Sequence, residues 1–109
     1  MATRVLVVDD AAFMRMMVKD ILSKNGYEIV GEAENGMKAL EKYQELKPDL
    51  VTMDITMPRM DGITATQAIR ARFPGVRVLI VTTFGRPGYL QRALDAGATG
   101  FMVKDAPVE

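Results

Sequence analysis

Asp9 and Asp10 close the apolar run Val5 to Val8, and Asp54 closes Leu50 to Met53. Thr82 and Thr83 close Val78 to Val81, and Lys104 follows Phe101 to Val103. Carboxylates, hydroxyls and an amine are the reactive groups this chain offers, because its 109 residues include no cysteine and no histidine. That composition excludes thiol catalysis, disulfides, thiolate metal sites, imidazole ligands and histidine-dependent triads. Three carboxylates gathered at one place repel one another, and a bound cation relieves the repulsion. Mg²⁺ is the expected ion, since it prefers oxygen ligands, keeps several waters and typically uses one or two carboxylates beside a phosphate group. Asp10 and Asp54 are the expected direct ligands, Asp9 acts through water, and the Thr56 backbone carbonyl offers a further oxygen. A carboxylate beside Mg²⁺ can attack a phosphoryl group, which makes Asp54 a candidate phosphoacceptor. Lys104 would neutralise phosphoryl oxygens as a point charge and the Thr82 hydroxyl would donate to them. The set suits phosphoryl transfer.

Each of these residues also has a purely structural reading. Asp10 can cap the helix that begins in "AAFMRMM". Asp54 can cap a turn, Thr82 can satisfy loop backbone groups, and Lys104 can be a solvated lysine. What separates chemistry from architecture is whether the fold brings them to one rim.

The elements that must do so are read from apolar periodicity. "RVLVV" (Arg4 to Val8) predicts a strand, followed by a helix over "AAFMRMMVKDILSK" with Phe13, Met17 and Ile21 on its core face, closed near Gly26. "YEIVGEA" predicts a second strand, and Asn35 to Lys47 a second helix that buries Ala39, Leu40, Tyr43 and Leu46 and is ended by Pro48. "DLVTM" is the third strand. "GITATQAIRARF" is the third helix with Ile63, Thr66, Ile69 and Phe73 inward, and Pro74-Gly75 is a turn. "VRVLIV" is the fourth strand, a helix begins near Pro87 with Leu90, Ala93, Leu94 and Gly97 inward, and "TGFMV" is the fifth strand. Alternating strands and helices imply a doubly wound α/β fold with a parallel sheet and right-handed crossovers. Ligands of such sheets bind beyond the carboxyl ends of the strands, where strand order reverses.

The rest of the composition narrows the partners. The chain is 49% hydrophobic and 26% charged, as a globular protein is, and its length suits a single domain over 1–109. Lys+Arg and Asp+Glu both total 14, so zero net charge gives no support to direct nucleic-acid contact. No apolar run is long enough to span a bilayer and no signal-peptide segment opens the chain, so a cytoplasmic location with no membrane partner is expected.

"VLVVDD", "MDITMPRMDG", "VLIVTT" and "TGFMVKD" together resemble the receiver domain of two-component response regulators. The resemblance covers nearly all the chain. It implies a five-stranded, flavodoxin-like sheet of order 2-1-3-4-5, with Asp9 and Asp10 as the acidic pair for Mg²⁺ and Asp54 as the residue phosphorylated by a histidine kinase. Thr82 is similar to the family's switch hydroxyl and Phe101 to its switch aromatic, which turns inward as the hydroxyl moves toward the phosphoryl group. Phosphorylation would then bias a two-state arrangement of the fourth helix and fifth strand. The implied partners are the kinase and a downstream output protein or attached effector domain. The domain is implied to be no enzyme beyond catalysing its own phosphorylation and dephosphorylation.

Two other functions share part of this pattern. An aspartyl-nucleophile, metal-dependent phosphatase also places an Asp after a strand, but usually a second acid two residues on, where this chain has Thr56. A flavodoxin-like nucleotide binder would want a phosphate-binding loop where Asp9 and Asp10 stand. Three features depart from the family. Asp105 follows Lys104 where many receivers have proline, and the first half resembles chemotaxis receivers while the second resembles receivers joined to LuxR-type DNA-binding domains. The sequence as read also stops at Glu109, and on the resemblance the family's fifth helix is expected to be missing from it. An uncovered sheet face beside the fourth and fifth strands, and self-association through it, are the expected results.

Overall fold

The computed structural model describes residues 2–54, 61–82 and 88–103, without the side chains of Thr82, Tyr89, Leu90 and residues 101–103. Nine elements alternate: β1 (Arg4–Val8), α1 (Ala12–Lys24), β2 (Glu28–Ala33), α2 (Gly36–Leu46), β3 (Leu50–Met53), α3 (Gly62–Arg72), β4 (Arg77–Thr82), α4 (Tyr89–Asp95) and β5 (Gly100–Val103). All strand pairs are parallel, in the order β2-β1-β3-β4-β5. The chain starts at a central strand, steps to the β2 edge, then reverses past β1 toward β5. Right-handed crossovers place α1 on one face of the sheet and α2, α3 and α4 on the other.

The core lies under those three helices. Leu6, Val8, Val51, Met53, Val78 and Ile80 point into it from the strands, against Ala39 and Tyr43 of α2, Ile63, Ala65 and Ile69 of α3, and Ala93 of α4. Leu40, Leu46 and Phe73 pack on it partly buried, and the Tyr43 and Phe73 rings lie 4.5 Å apart. The inward faces expected for α2 and α3 are thus the observed ones, with Thr66 fully buried and its hydroxyl donating to the Gly62 carbonyl at 2.7 Å. Local chemistry fixes the helix ends. The Asn35 side chain accepts from the Lys38 amide at 2.8 Å, and Asp61 accepts from the Thr64 amide at 2.9 Å. Gly26 takes φ +88° beyond α1. The Arg4 guanidinium donates to the Leu46 and Lys47 carbonyls at 2.9 and 3.0 Å, tying the end of α2 to the start of the sheet.

Two expected core faces need correction. Phe13 and Ile21 are 68% and 56% exposed, Met17 is 41% exposed, and no residue of α1 is fully buried. Met14, Val18 and Leu22 face the sheet instead, half-buried. Two adjacent apolar stripes run along α1 at the same i, i+4 spacing, and α1 alone covers its side of the sheet among the described helices, so only one stripe finds a partner. On α4, Ala93 is buried but Leu94 is 47% exposed, one residue and about 100° round the helix from it.

Of the surface expected to be uncovered, the β5 side chains lie outside the described residues, and on β4 Val81 is buried and Leu79 half-buried. Among the described residues, large apolar side chains stand exposed on α1, where Met16 joins the three above. No helix of the described residues is long and apolar enough to cross a membrane.

Candidate metal and phosphoryl site

Register builds the site. Val8 lies opposite Met53 in the β1–β3 pair, so the next residues, Asp9 and Asp54, emerge side by side at the carboxyl ends of adjacent strands. The Asp54 amide donates to the Val8 carbonyl at 3.0 Å and the Asp9 amide to the Ala33 carbonyl at 3.1 Å, which extends the ladder one residue past the strands. This is where strand order reverses, with β2 on one side of β1 and β3 on the other.

Asp9 and Asp54 are buried and Asp10 is exposed at the rim. One carboxylate oxygen from each of the three lies within 4.8 Å of the others. At an effective dielectric near 20, two buried charges at that distance repel by about 3 kcal/mol. Hard oxygen donors at this density suit a hard divalent cation such as Mg²⁺. The set includes two buried members, which an ordinary solvated acidic patch does not have.

α1 begins after Ala11 with no side-chain cap, so Asp10 does not cap it. Asp9 Oδ1 accepts from the Ala11 amide at 3.0 Å and holds the turn that aims Asp10 outward. The cap of α3 is Asp61, not Asp54. Gly62 follows, and a Cβ there would stand 1.9 Å from the Asp54 carbonyl oxygen, so α3 can approach the end of β3 only at a glycine.

Thr82 ends β4 and pairs with Val103, and Phe101 pairs with Ile80, so the backbone brings both to the β4–β5 edge of the same sheet. Their side chains lie outside the described residues, as do Thr56, Thr83, Lys104 and the Lys104-Asp105 bond.

Sequence reasoning missed a network behind the acids. Arg15 Nη1 donates to the Asp9 carbonyl at 2.7 Å, and its Nε donates to Glu32 Oε1 at 2.7 Å. Lys19 donates to the other Glu32 oxygen at 2.6 Å. The hydrogen bonds from Lys19 and then Arg15 hold the Glu32 carboxyl below its ordinary range, against a smaller opposing effect of burial. An arginine on an amphipathic helix and a glutamate in an edge strand give no local signal that they meet.

Residues 5–109 match the family described as response regulator receiver domain. The chain is 58% identical over 104 residues to the chemotaxis protein CheY of Bacillus subtilis (strain 168), covering 95% of this chain and 87% of that one. Among solved structures, the response regulator domain of Thermotoga maritima CheB superposes with a TM-score of 0.88 at 46% identity, covering 95% of this chain and 79% of the other. The CheX-CheY-BeF3-Mg complex from Borrelia burgdorferi gives a TM-score of 0.90 at 34% identity, covering 98% and 80%. An acidic pair after β1, a third acid beside it after β3, and a match running from the first strand onward lead to one conclusion: the chain belongs to the response regulator receiver domain family.

Proposed function

We propose that Asp54 is the residue of this receiver domain that takes a phosphoryl group from a histidine kinase, with Mg²⁺ as cofactor, in a chemotaxis-type two-component system. The observation that carries the reading is the meeting of Asp9, Asp10 and Asp54 within 4.8 Å at the reversal point of the sheet. In the transfer, an Asp54 carboxylate oxygen forms the new P–O bond as the P–N bond to the kinase imidazole breaks and its electron pair returns to the ring nitrogen. Asp10 and Asp54 would hold the metal directly, Asp9 through water, with the Thr56 carbonyl as a further donor. When bound, Mg²⁺ supplies positive charge beside the phosphoryl oxygens. Burial of Asp54 and Asp9 limits water at the acceptor oxygen.

In the same reading, Lys104 pairs with the phosphoryl oxygens, the Thr82 hydroxyl donates to them, and Phe101 turns inward in response. Their support is position: Thr82 and Phe101 stand on the paired β4–β5 edge that would present the output surface with α4, and Lys104 follows β5 in the sequence. The downstream partner is an output protein or an attached effector domain, reached without direct nucleic-acid contact, as the zero net charge suggests. Self-association through the α1 side of the sheet is supported by the exposed Phe13, Met16, Met17 and Ile21.

Intact mass after incubation with acetyl phosphate tests the central claim. One phosphoryl group is expected with Mg²⁺, and none in chelator or in Asp54→Asn. Equal labelling in chelator would refute it.

A further inference from the structure

The Arg15 guanidinium bridges two layers of the fold. It donates from Nη1 to the main-chain carbonyl of Asp9 and from Nε to the Glu32 carboxylate, both at 2.7 Å. Asp9 is then held at three points, because its amide donates to the Ala33 carbonyl at 3.1 Å and its Oδ1 accepts from the Ala11 amide at 3.0 Å. The Arg15 side chain is 15% exposed, well covered for so long a cation on a helix without fully buried residues. Nothing in the transfer described above uses it.

A counter-charge for the acids needs only a positive group, which an amine supplies as well. What arginine adds is a planar fork whose donors reach a carbonyl and a carboxylate at once. We infer that Arg15, itself oriented by Glu32, is a positioning residue for the acidic site: it fixes the Asp9 main chain and so sets the three carboxylates for a hard divalent cation. The inference rests on the metal-assisted reading of that site.

The two roles have opposite signs, which makes them separable. A counter-charge competes with a metal ion, so its removal tightens Mg²⁺ binding. A positioning residue loosens the site when removed, as groups that orient metal ligands do, by about tenfold or more.

Calorimetric titration of Mg²⁺ into the full chain, with thermal melts alongside, decides between them. Arg15→Gln and Arg15→Lys are both expected to weaken Mg²⁺ binding about tenfold. Glu32→Gln should weaken it less, since the amide oxygen still accepts from Nε. Lys19→Met should leave binding unchanged, because Lys19 touches Glu32 but not Asp9. Failure of lysine to rescue distinguishes the fork from the charge. Unchanged or tighter binding in Arg15→Gln, rescue by lysine, or an equal loss in Lys19→Met would each overturn the inference. Should Arg15→Gln not fold, the contrast between Glu32→Gln and Lys19→Met decides: a loss confined to Glu32→Gln supports the inference, and equal effects refute it. A parent chain that takes no Mg²⁺ removes the metal reading and this inference with it. A parent that binds while the Arg15 variants bind equally well removes the inference alone.

Discussion

Gly62 shows how little room separates the site from the helix that follows it. A Cβ at this position would lie 1.9 Å from the Asp54 carbonyl oxygen and 2.9 Å from the Met53 side chain. Gly62→Ala must therefore push α3 away or displace Asp54, and overpacking of this kind costs about 1–3 kcal/mol. Urea denaturation should show that loss, and the rate of phosphoryl uptake should fall further than stability accounts for. Asp54→Asn should act in the opposite direction, because it removes one charge from a buried like-charged pair. Its metal-free form is expected to melt higher than the parent, while the upward shift that Mg²⁺ gives the parent disappears. A variant that melts lower than the metal-free parent would contradict the repulsion argued for the site. At this scale the acids were legible because each ends an apolar run, where polar groups stand out. Gly62 read only as the first residue of the third helix, since apolar periodicity does not show how closely that helix approaches the end of the strand before it.

Helices and strands were legible to the extent that each has one face to bury. α2 and α3 carry a single apolar stripe and bury it, whereas α1 carries two, and periodicity cannot say which meets the sheet. Met14, Val18 and Leu22 do so, and the neighbouring stripe of Phe13, Met17 and Ile21 stays outside. The ion network of Arg15, Lys19 and Glu32 joins α1 to the β2 edge, and it gives this contact a pH dependence. The Glu32 carboxyl lies below its ordinary value of 4.5, chiefly through the Lys19 hydrogen bond and then that of Arg15. A lowered folded value means the contribution is complete above the unfolded value and is lost as pH falls through the folded one. With Glu32 42% exposed, solvent screening keeps it to about 0.2–1 kcal/mol. The difference in melting temperature between the parent and Glu32→Gln should thus hold at neutral pH and close once pH drops below 4.5. A difference that persists in strong acid would show that the pair contributes packing rather than charge.

At the scale of the whole molecule, the exposed stripe on α1 is an apolar surface feature of the described residues. Four large apolar side chains on one helix make a patch of the kind that soluble proteins cover. Sedimentation at micromolar concentration should find self-association, and Phe13→Glu with Met17→Glu should abolish it without lowering the melting temperature. A monomer that binds no hydrophobic dye would refute it. That the sheet is parallel and doubly wound was legible from alternation and its strand order from the family resemblance, but the covering of its two faces was not, because that depends on which side chains lean across each strand.

The reversal of strand order at β1 also governs when the site can exist. β1 is translated first, yet it becomes a central strand whose two neighbours arrive on opposite sides and at different times. A nascent chain that has paired β1 with β2 holds Asp9 and Asp10 but has no Asp54 beside them. A cation that needs all three therefore has nothing to grip until β3 docks, so it favours chains with β3 paired beside β1 over every earlier intermediate. An ion held at the proposed site would serve, during biogenesis, as a proofreader of the central strand pair.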